Sequence, residues 1–378
     1  MKNTIPLLLL AILFFASCEK TIQNENLLEE ALSSQSPKIK RVMDSLEKYE
    51  VQIRYSKIDR RNDSIIFTDY DFQVDSDAYF YPASTVKFPI AVLALERLNE
   101  TDTLNRNTRY YIEGDSLESN FAKDILQIFA VSDNGANNRL FELLGQDAIN
   151  TNLKKKGIEK IRISHRLGYH SEDLTTKPLI VYLNDSTTSP TKPTTNTAPE
   201  PLEIQKIKKG VGYFEDDSLI STPFDFSLKN YYPIASQHGV LKRVIFPSNF
   251  EADERFNLSK DQHSFLLNAM HSLPRNAGYD VETYYDGYCK FFIYGDTKEA
   301  IPDHIKIYNK VGFAYGTLTD CAYITDSKNQ VDFLLTATIL VNKDGVFNDN
   351  VYEYDEVGIP FLAELGREIH RLEIQRKK

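Results

Sequence analysis

Strand-type alternation in this chain is concentrated near its two ends. Val51-Gln52-Ile53-Arg54-Tyr55 and the region around Ile65-Ile66-Phe67-Thr68 alternate early, split by the polar turn Asp59-Arg60-Arg61-Asn62-Asp63. The signal returns at Lys290-Phe291-Phe292-Ile293-Tyr294, Lys306-Ile307-Tyr308, Ala322-Tyr323-Ile324 and Val331 to Val341. A helix is expected before the first strand, because Ile39, Val42, Met43 and Leu46 follow Ser36-Pro37 at helical spacing. Ile359 to Ile374 closes the chain as an amphipathic helix, and the middle is largely helical in pattern. Strands so far apart share one sheet only if the chain ends meet. The expected fold is therefore α/β of the α+β kind. An antiparallel sheet is built from both ends, with helices flanking it and a helical subdomain inserted between.

The middle is read as follows. Phe121 to Val131 is a helix with Ile125, Ile128 and Phe129 on one side. Ser221-Thr222-Pro223 is expected to start a helix running into Phe224 to Tyr232. Ser259 to Ser272 is a further helix. The Thr/Pro-rich stretch at about 175–202 is too poor in apolar residues to supply a core element and is expected to be an exposed insertion.

The first residues read as an export signal. Lys2 precedes an apolar run from Pro6 to Ala16, too short to stay in a bilayer as a spanning helix, and Ser17-Cys18 follows. Ala16-Ser17-Cys18 resembles a bacterial lipobox, in which the cysteine is lipidated and becomes the first mature residue. The expected organisation is a lipoprotein signal peptide at 1–17, a tether at 18–36 and a catalytic domain at 37–378. The chain is then lipid-anchored in the cell envelope, facing the periplasm or the cell surface. Its net charge of −10 argues against nucleic acid as a partner. It is expected to be a monomer.

Chemistry first shows at Tyr81-Pro82-Ala83-Ser84-Thr85-Val86-Lys87, which opens the apolar run Phe88 to Leu95. A serine and a lysine three apart lie one helical turn from each other. Burial can lower the lysine's pKa far enough for it to take the hydroxyl proton. The spacing alone says little, since Ser17–Lys20, Ser45–Lys48 and Ser189–Lys192 share it. Two later motifs lend it weight. Ser132-Asp133-Asn134 supplies a hydroxyl for proton relay and a side-chain amide for a substrate carbonyl, although the same residues cap helices well. Lys310-Val311-Gly312 places a fixed cation on a strand whose glycine allows a close approach.

Ser-x-x-Lys, Ser-Asp-Asn and Lys-x-Gly in this order resemble the class A β-lactamase and penicillin-binding protein superfamily of active-site serine enzymes. The resemblance extends from about Lys38 to Glu373. It implies that Ser84 is the acylated nucleophile, Lys87 its base, Ser132 a proton shuttle and Asn134 a substrate contact. Lys310 would be an electrostatic and carboxylate anchor, with Gly312 beside it. The backbone N–H groups of Ser84 and Phe313 would form the oxyanion hole. The implied reaction is hydrolysis of a small-molecule β-lactam, without a cofactor. A penicillin-binding peptidase acting on a cell-wall peptide, an esterase, and a catalytically silent peptide- or glycan-binding relative are the alternatives on the same fold.

Three departures stand beside the match. Class A enzymes carry Thr or Ser after the third-motif lysine, where this chain has Val311. Arg166-Leu167-Gly168-Tyr169-His170-Ser171-Glu172-Asp173 resembles the start of the loop that carries the deacylating glutamate. The gapless register puts Ser171 at that position, while a one-residue insertion would put Glu172 there, the candidate base. Finally, 178 residues separate Ser132 from Lys310, far more than in compact class A enzymes. His165 and His170 flank the loop start without a Cys/His/Asp cluster at ligand spacing, so surface histidines and no metal are expected. Tyr352-Glu353-Tyr354-Asp355-Glu356 reads as a solvated turn. Cys289 and Cys321, both in strand-like contexts, are either a buried apolar pair or a disulfide.

Overall fold

The computed structural model describes residues 26–62, 64–100, 103–168 and 171–378. The signal peptide, Cys18 and His170 lie outside the described residues.

The ends of the chain do meet in one sheet. Strands β1 (Gln52–Arg61) and β2 (Ser64–Phe72) come from the N-terminal end. Strands β3 (Ile305–Ala314), β4 (Thr317–Asp326) and β5 (Val331–Leu340) come from the C-terminal end. The order is β3-β4-β5-β1-β2 with every pair antiparallel, and the join is β1 on β5, Gln52 opposite Thr338. The β3–β4 hairpin turns through Tyr315 and Gly316, at φ 53° and 73°, the left-handed pair that a two-residue hairpin loop demands. As the outermost strand, β3 keeps one edge free for the site.

Alternation along the strands divides the interior in two. Phe333, Leu335, Ala337 and Ile339 of β5 face a core shared with α1 (Leu27–Leu32), α2 (Pro37–Met43) and α10 (Ile359–Lys377). Leu334 faces the other core. That second core holds α3 (Lys87–Leu98), α4 (Phe121–Ala130), α5 (Asn134–Leu144), α6 (Gln146–Lys155), α7 (Ile234–Ile245) and α8 (Lys260–His271). Ser259 caps α8 with a complete capping box to Gln262. The mixed α/β fold with an antiparallel sheet stands as expected. Among the described residues no helix is long and apolar enough to cross a membrane.

Several local expectations need correction. The tether carries α1, whose Leu27, Leu28 and Leu32 are buried in the terminal-helix core and whose N-cap is Asn26. The Thr/Pro-rich stretch is mostly exposed, yet it forms a hairpin. Leu179–Asn184 pairs with Thr187–Pro190 and with Arg109–Ile112, so backbone pairing orders what apolar content does not. No helix starts at Ser221. Phe224–Asp225 pairs instead with Lys208–Lys209, because Phe224 and Phe226 are drawn into an aromatic cluster with Phe347 and Tyr315.

The strand expected at Lys290–Tyr294 is a short, kinked helix, α9 (Phe291–Tyr294). The cause is Asp320, fully buried on β4, whose carboxylate accepts the N–H groups of Phe291 at 3.1 Å and Phe292 at 3.3 Å. A buried carboxylate needs such donors, and a strand conformation would not deliver both to it. Cys289 ends the turn before α9, and Cys321 lies on β4. Both are buried and free.

Candidate active site

Ser84 sits on a 3₁₀ turn, Ala83–Val86, that runs directly into α3. The turn is tightened by the Thr85 hydroxyl, which donates to the Pro82 carbonyl at 2.7 Å. Ala83 holds a left-handed φ of 47°, unusual for a residue with a side chain. From Lys87 to Leu95 every residue of α3 is buried, so the lysine goes into the interior with its helix.

Lys87 is completely buried and donates to three acceptors. These are the Ser132 carbonyl, the Ser132 hydroxyl at 3.3 Å and the Asn134 side-chain Oδ1 at 2.6 Å. Burial, and then the charge of Lys310, hold its pKa well below that of an ordinary lysine. Lys310 on β3 is 2 % exposed and donates to the Ser132 hydroxyl at 2.8 Å and to the Val311 carbonyl at 2.7 Å. Burial brings its pKa down to about 8.

Ser132 is thus shared by two lysines. With both of its lone pairs engaged, its own proton is free to point elsewhere. It is held at φ 59°, off the favoured regions, just before Asp133 caps α5 on the Ala136 N–H at 2.7 Å. Helix capping and the two lysine contacts therefore coexist in one motif. Asn134 spends its carbonyl oxygen on Lys87, which leaves its amide Nδ2 to donate into the cleft that it lines with Ser84.

Gly312 explains how β3 reaches the Ser84 turn. A Cβ at this position would stand 2.7 Å from the Pro82 oxygen and 2.9 Å from the nitrogens of Ser84 and Thr85. The glycine admits the Ser84 turn itself against the strand. Phe313 follows on the strand, half-exposed beside Ser84 in a cleft of about 350 Å³. Val311, by strand alternation, points to the opposite face and is buried in the α10 core, so it offers the site no surface.

The loop after Arg166 behaves differently from expectation. Leu167 and Gly168 line the cleft, whereas Ser171 and Glu172 do not. Glu172 is exposed and accepts a hydrogen bond from its neighbour Ser171 at 3.1 Å. His165 is no surface histidine. Wedged between the Arg166 carbonyl at 2.5 Å and the Asn230 N–H at 3.4 Å, its pKa is pushed down to about 4 by burial.

Residues 36–198 match the family model described as "Beta-lactamase enzyme family". The fold resembles a β-lactamase from Xanthomonas campestris, at 15 % identity and a TM-score of 0.51, over 92 % of this chain and 97 % of that one. It also resembles a β-lactamase from Burkholderia ambifaria, at 14 % identity and a TM-score of 0.50, over 87 % of this chain and 96 % of that one. No curated protein matches the sequence significantly. Residues 36–198 thus share the sequence pattern of a β-lactamase enzyme family, and the chain has a β-lactamase-like fold.

The matched segment carries Ser84, Lys87, Ser132 and Asn134, while Lys310 and Gly312 arrive on β3 from beyond it. Sequence inspection missed the supports of this superfamily site. Asn138 grips the backbone of Leu167 twice, donating to its carbonyl at 2.9 Å and accepting its N–H at 3.0 Å. Arg166 forms a buried ion pair with Glu142, at 2.6 and 2.8 Å, and donates to the Asp173 and Thr175 carbonyls. Behind β3 a third buried lysine, Lys290, bonds Asn309, which in turn donates to Asp320. Tyr352 and Tyr354, read from sequence as part of a solvated turn, line the Ser84 cleft. Two tyrosines in a segment without periodicity carry no signal of where they will fold.

Proposed function

We propose that this chain is a cell-envelope serine hydrolase of class A β-lactamase type that works through an acyl-enzyme on Ser84. The observation that carries the proposal is the Ser132 hydroxyl held between Lys87 and Lys310, with Lys87 also bonded to Asn134, which lines the Ser84 cleft. Lys87, with a depressed pKa, spends part of its time neutral and takes the Ser84 proton as the serine oxygen attacks an amide carbonyl. The developing oxyanion is met by the backbone N–H groups of Ser84 and Phe313. The carbonyl–nitrogen bond then breaks, and the leaving nitrogen takes a proton from Ser132, which is resupplied from the lysine pair. Water next attacks the ester, releasing the acid and restoring the Ser84 hydroxyl. β-Lactam hydrolysis is the leading assignment because the strained ring is opened by this sequence of steps.

A second assignment, a penicillin-binding cell-wall peptidase or an esterase, draws support from two placements. Val311 is buried away from the site, so no hydroxyl there helps hold a β-lactam carboxylate. Glu172 stands outside the cleft, where it cannot position the deacylating water in this arrangement. A silent peptide- or glycan-binding relative is disfavoured by the intact Ser84, Lys87 and Ser132 set. By the same proposal Cys18 carries the lipid anchor.

The test is to react the full chain in detergent with a fluorescent penicillin and follow it by intact mass. A transient adduct on Ser84 that clears within minutes supports the β-lactamase assignment, and a persistent one supports the penicillin-binding alternative. No adduct and no ring-opened penicillin from the wild-type chain, or equal labelling of Ser84→Ala, overturns the acyl-enzyme proposal.

A further inference from the structure

Basic side chains gather at the end of β3 farthest from Ser84. A cavity of about 160 Å³ lies between the end of α8, the turn that follows it and the first residues of β3. It shares no lining residue with the Ser84 cleft. Lys290, Lys306, Arg275 and His271 all line it, in a chain whose net charge is −10. The bases are close enough to feel one another. Burial holds the His271 pKa down, and the charges of Lys306 and Lys290 lower it further.

Lys290 is 1 % exposed, and its ammonium carries three donors. Two are engaged, by the Met270 carbonyl at 2.8 Å and the Asn309 side-chain oxygen at 2.7 Å. Among the described residues the third donor has no acceptor, although Lys290 lines the cavity. Burial brings its pKa down to about 8, so its charge is held without an anionic partner in contact. Asp286, buried nearby, is already occupied. Its carboxylate accepts the Arg275 Nε–H at 2.8 Å and the Ile301 N–H at 2.9 Å. The terminal nitrogens of Arg275 stay free among the described residues, and Lys306 forms no ion pair there. Asp303 is the one carboxylate in the wall, and it is exposed, where solvent screens it.

A hollow of this size is too small for a drug-sized ligand and fits a compact anion. Two ammonium groups and the free edge of a guanidinium offer charged donors in several directions, which a tetrahedral oxyanion can accept on each of its oxygens. We propose that this cavity is a binding site for a small oxyanion of the phosphate class, held by Lys290, Lys306 and Arg275, with His271 as a neutral donor. The site stands apart from the acyl-enzyme assignment and does not need Ser84. Asn309 ties it to the other end of the strand, because it accepts from Lys290 and immediately precedes Lys310.

The experiment is calorimetric titration of the full chain in detergent with inorganic phosphate, at neutral pH and at an ionic strength held constant with chloride. Lys290→Met, Lys306→Ala and Lys310→Met are titrated beside wild type. Wild type should bind, and Lys290→Met should bind at least about tenfold more weakly, the worth of one buried charged hydrogen bond. Lys306→Ala should weaken binding severalfold. Lys306 is exposed and makes no hydrogen bond among the described residues, so this variant keeps the test open if Lys290→Met fails to fold. Lys310→Met should bind as wild type does. Absence of binding at millimolar phosphate overturns the site, as does wild-type affinity in Lys306→Ala or in a folded Lys290→Met. Loss of binding in Lys310→Met alone would also overturn it, by placing the anion in the Ser84 cleft. Glycerol 3-phosphate separates the sources. Binding tighter than that of phosphate supports the site with a lipid headgroup as its ligand, and weaker binding supports it with free phosphate.

Discussion

The Lys310 ammonium stands 2.8 Å from the Ser132 hydroxyl, the same oxygen that Lys87 approaches at 3.3 Å. In the proposed mechanism the two lysines need opposite protonation states, one neutral to act as base and one charged to orient and stabilise. Acylation should therefore rise with pH as Lys87 loses its proton and fall again near pH 8 as Lys310 loses its own. In Lys310→Arg the guanidinium stays charged, so the alkaline limb should move up by a unit or more even if the maximal rate drops. The acylation rate of a chromogenic β-lactam, measured across pH 5 to 10 as an order-of-magnitude window, checks both. An unchanged alkaline limb in the arginine variant would assign it to another group.

The same burial costs stability. Unfolded Lys310 titrates near 10.5 and folded Lys310 near about 8, so between these values the unfolded chain holds more protons. The penalty is full below pH 8 and is relieved as pH rises towards 10.5. Lys310→Met should thus be more stable than wild type at neutral pH by about 1–2 kcal/mol, after allowance for two lost hydrogen bonds. The gain should shrink towards pH 10, roughly where the wild-type lysine is already neutral. Thermal unfolding at the two pH values is the measurement, and a lower Tm at neutral pH contradicts it.

Gly312→Ala should be disproportionately damaging for one methyl group. Its Cβ has the Pro82 oxygen and two backbone nitrogens in its way, and none of these is a flexible side-chain end. Moving the Ser84 turn aside should lower acylation by about a hundredfold, with about 1–3 kcal/mol lost in stability. Valine at 311, which faces away, should accept threonine with little effect on acylation.

Much of this site was visible in sequence as chemistry without position. Ser84, Lys87, Ser132, Asn134 and Lys310 stand in a recognisable order, and the alternation near Gln52 and Val331 foretold which ends would pair. What stayed hidden depends on partners distant in the chain. Phe291 and Phe292 look like strand residues until Asp320 claims their N–H groups. The Leu179–Pro190 hairpin is ordered by backbone bonds, which leave no apolar period to read. Leu27 to Leu32 is too short for a helical pattern to stand out, and its helix forms because the terminal-helix core buries those leucines.

Glu172→Gln should leave the lifetime of a penicillin adduct within about threefold of wild type, since deleting a positioned general base costs far more. Its carboxylate is exposed and engaged by Ser171 rather than by the cleft. Intact-mass decay curves for the two proteins decide the matter. A large lengthening would show that the loop rearranges to bring Glu172 to the ester.

Cys18→Ala should release the chain from membranes or leave the signal peptide uncleaved. Fractionation with N-terminal sequencing checks this, and a soluble wild-type protein beginning elsewhere than Cys18 would falsify the anchor.

The β1–β5 pairing has a consequence in time. Ser84 and Lys87 are synthesised early, but the strand that aligns them carries Lys310 and reaches β1 only through β4 and β5. Until residues through Leu340 have emerged, the central pairing is missing and Lys310 has no sheet to hold it beside Ser132. On the proposed mechanism, a nascent or truncated chain therefore carries Ser84 unarmed. Hydrolytic competence should appear late and all at once, as one of the last contacts of folding.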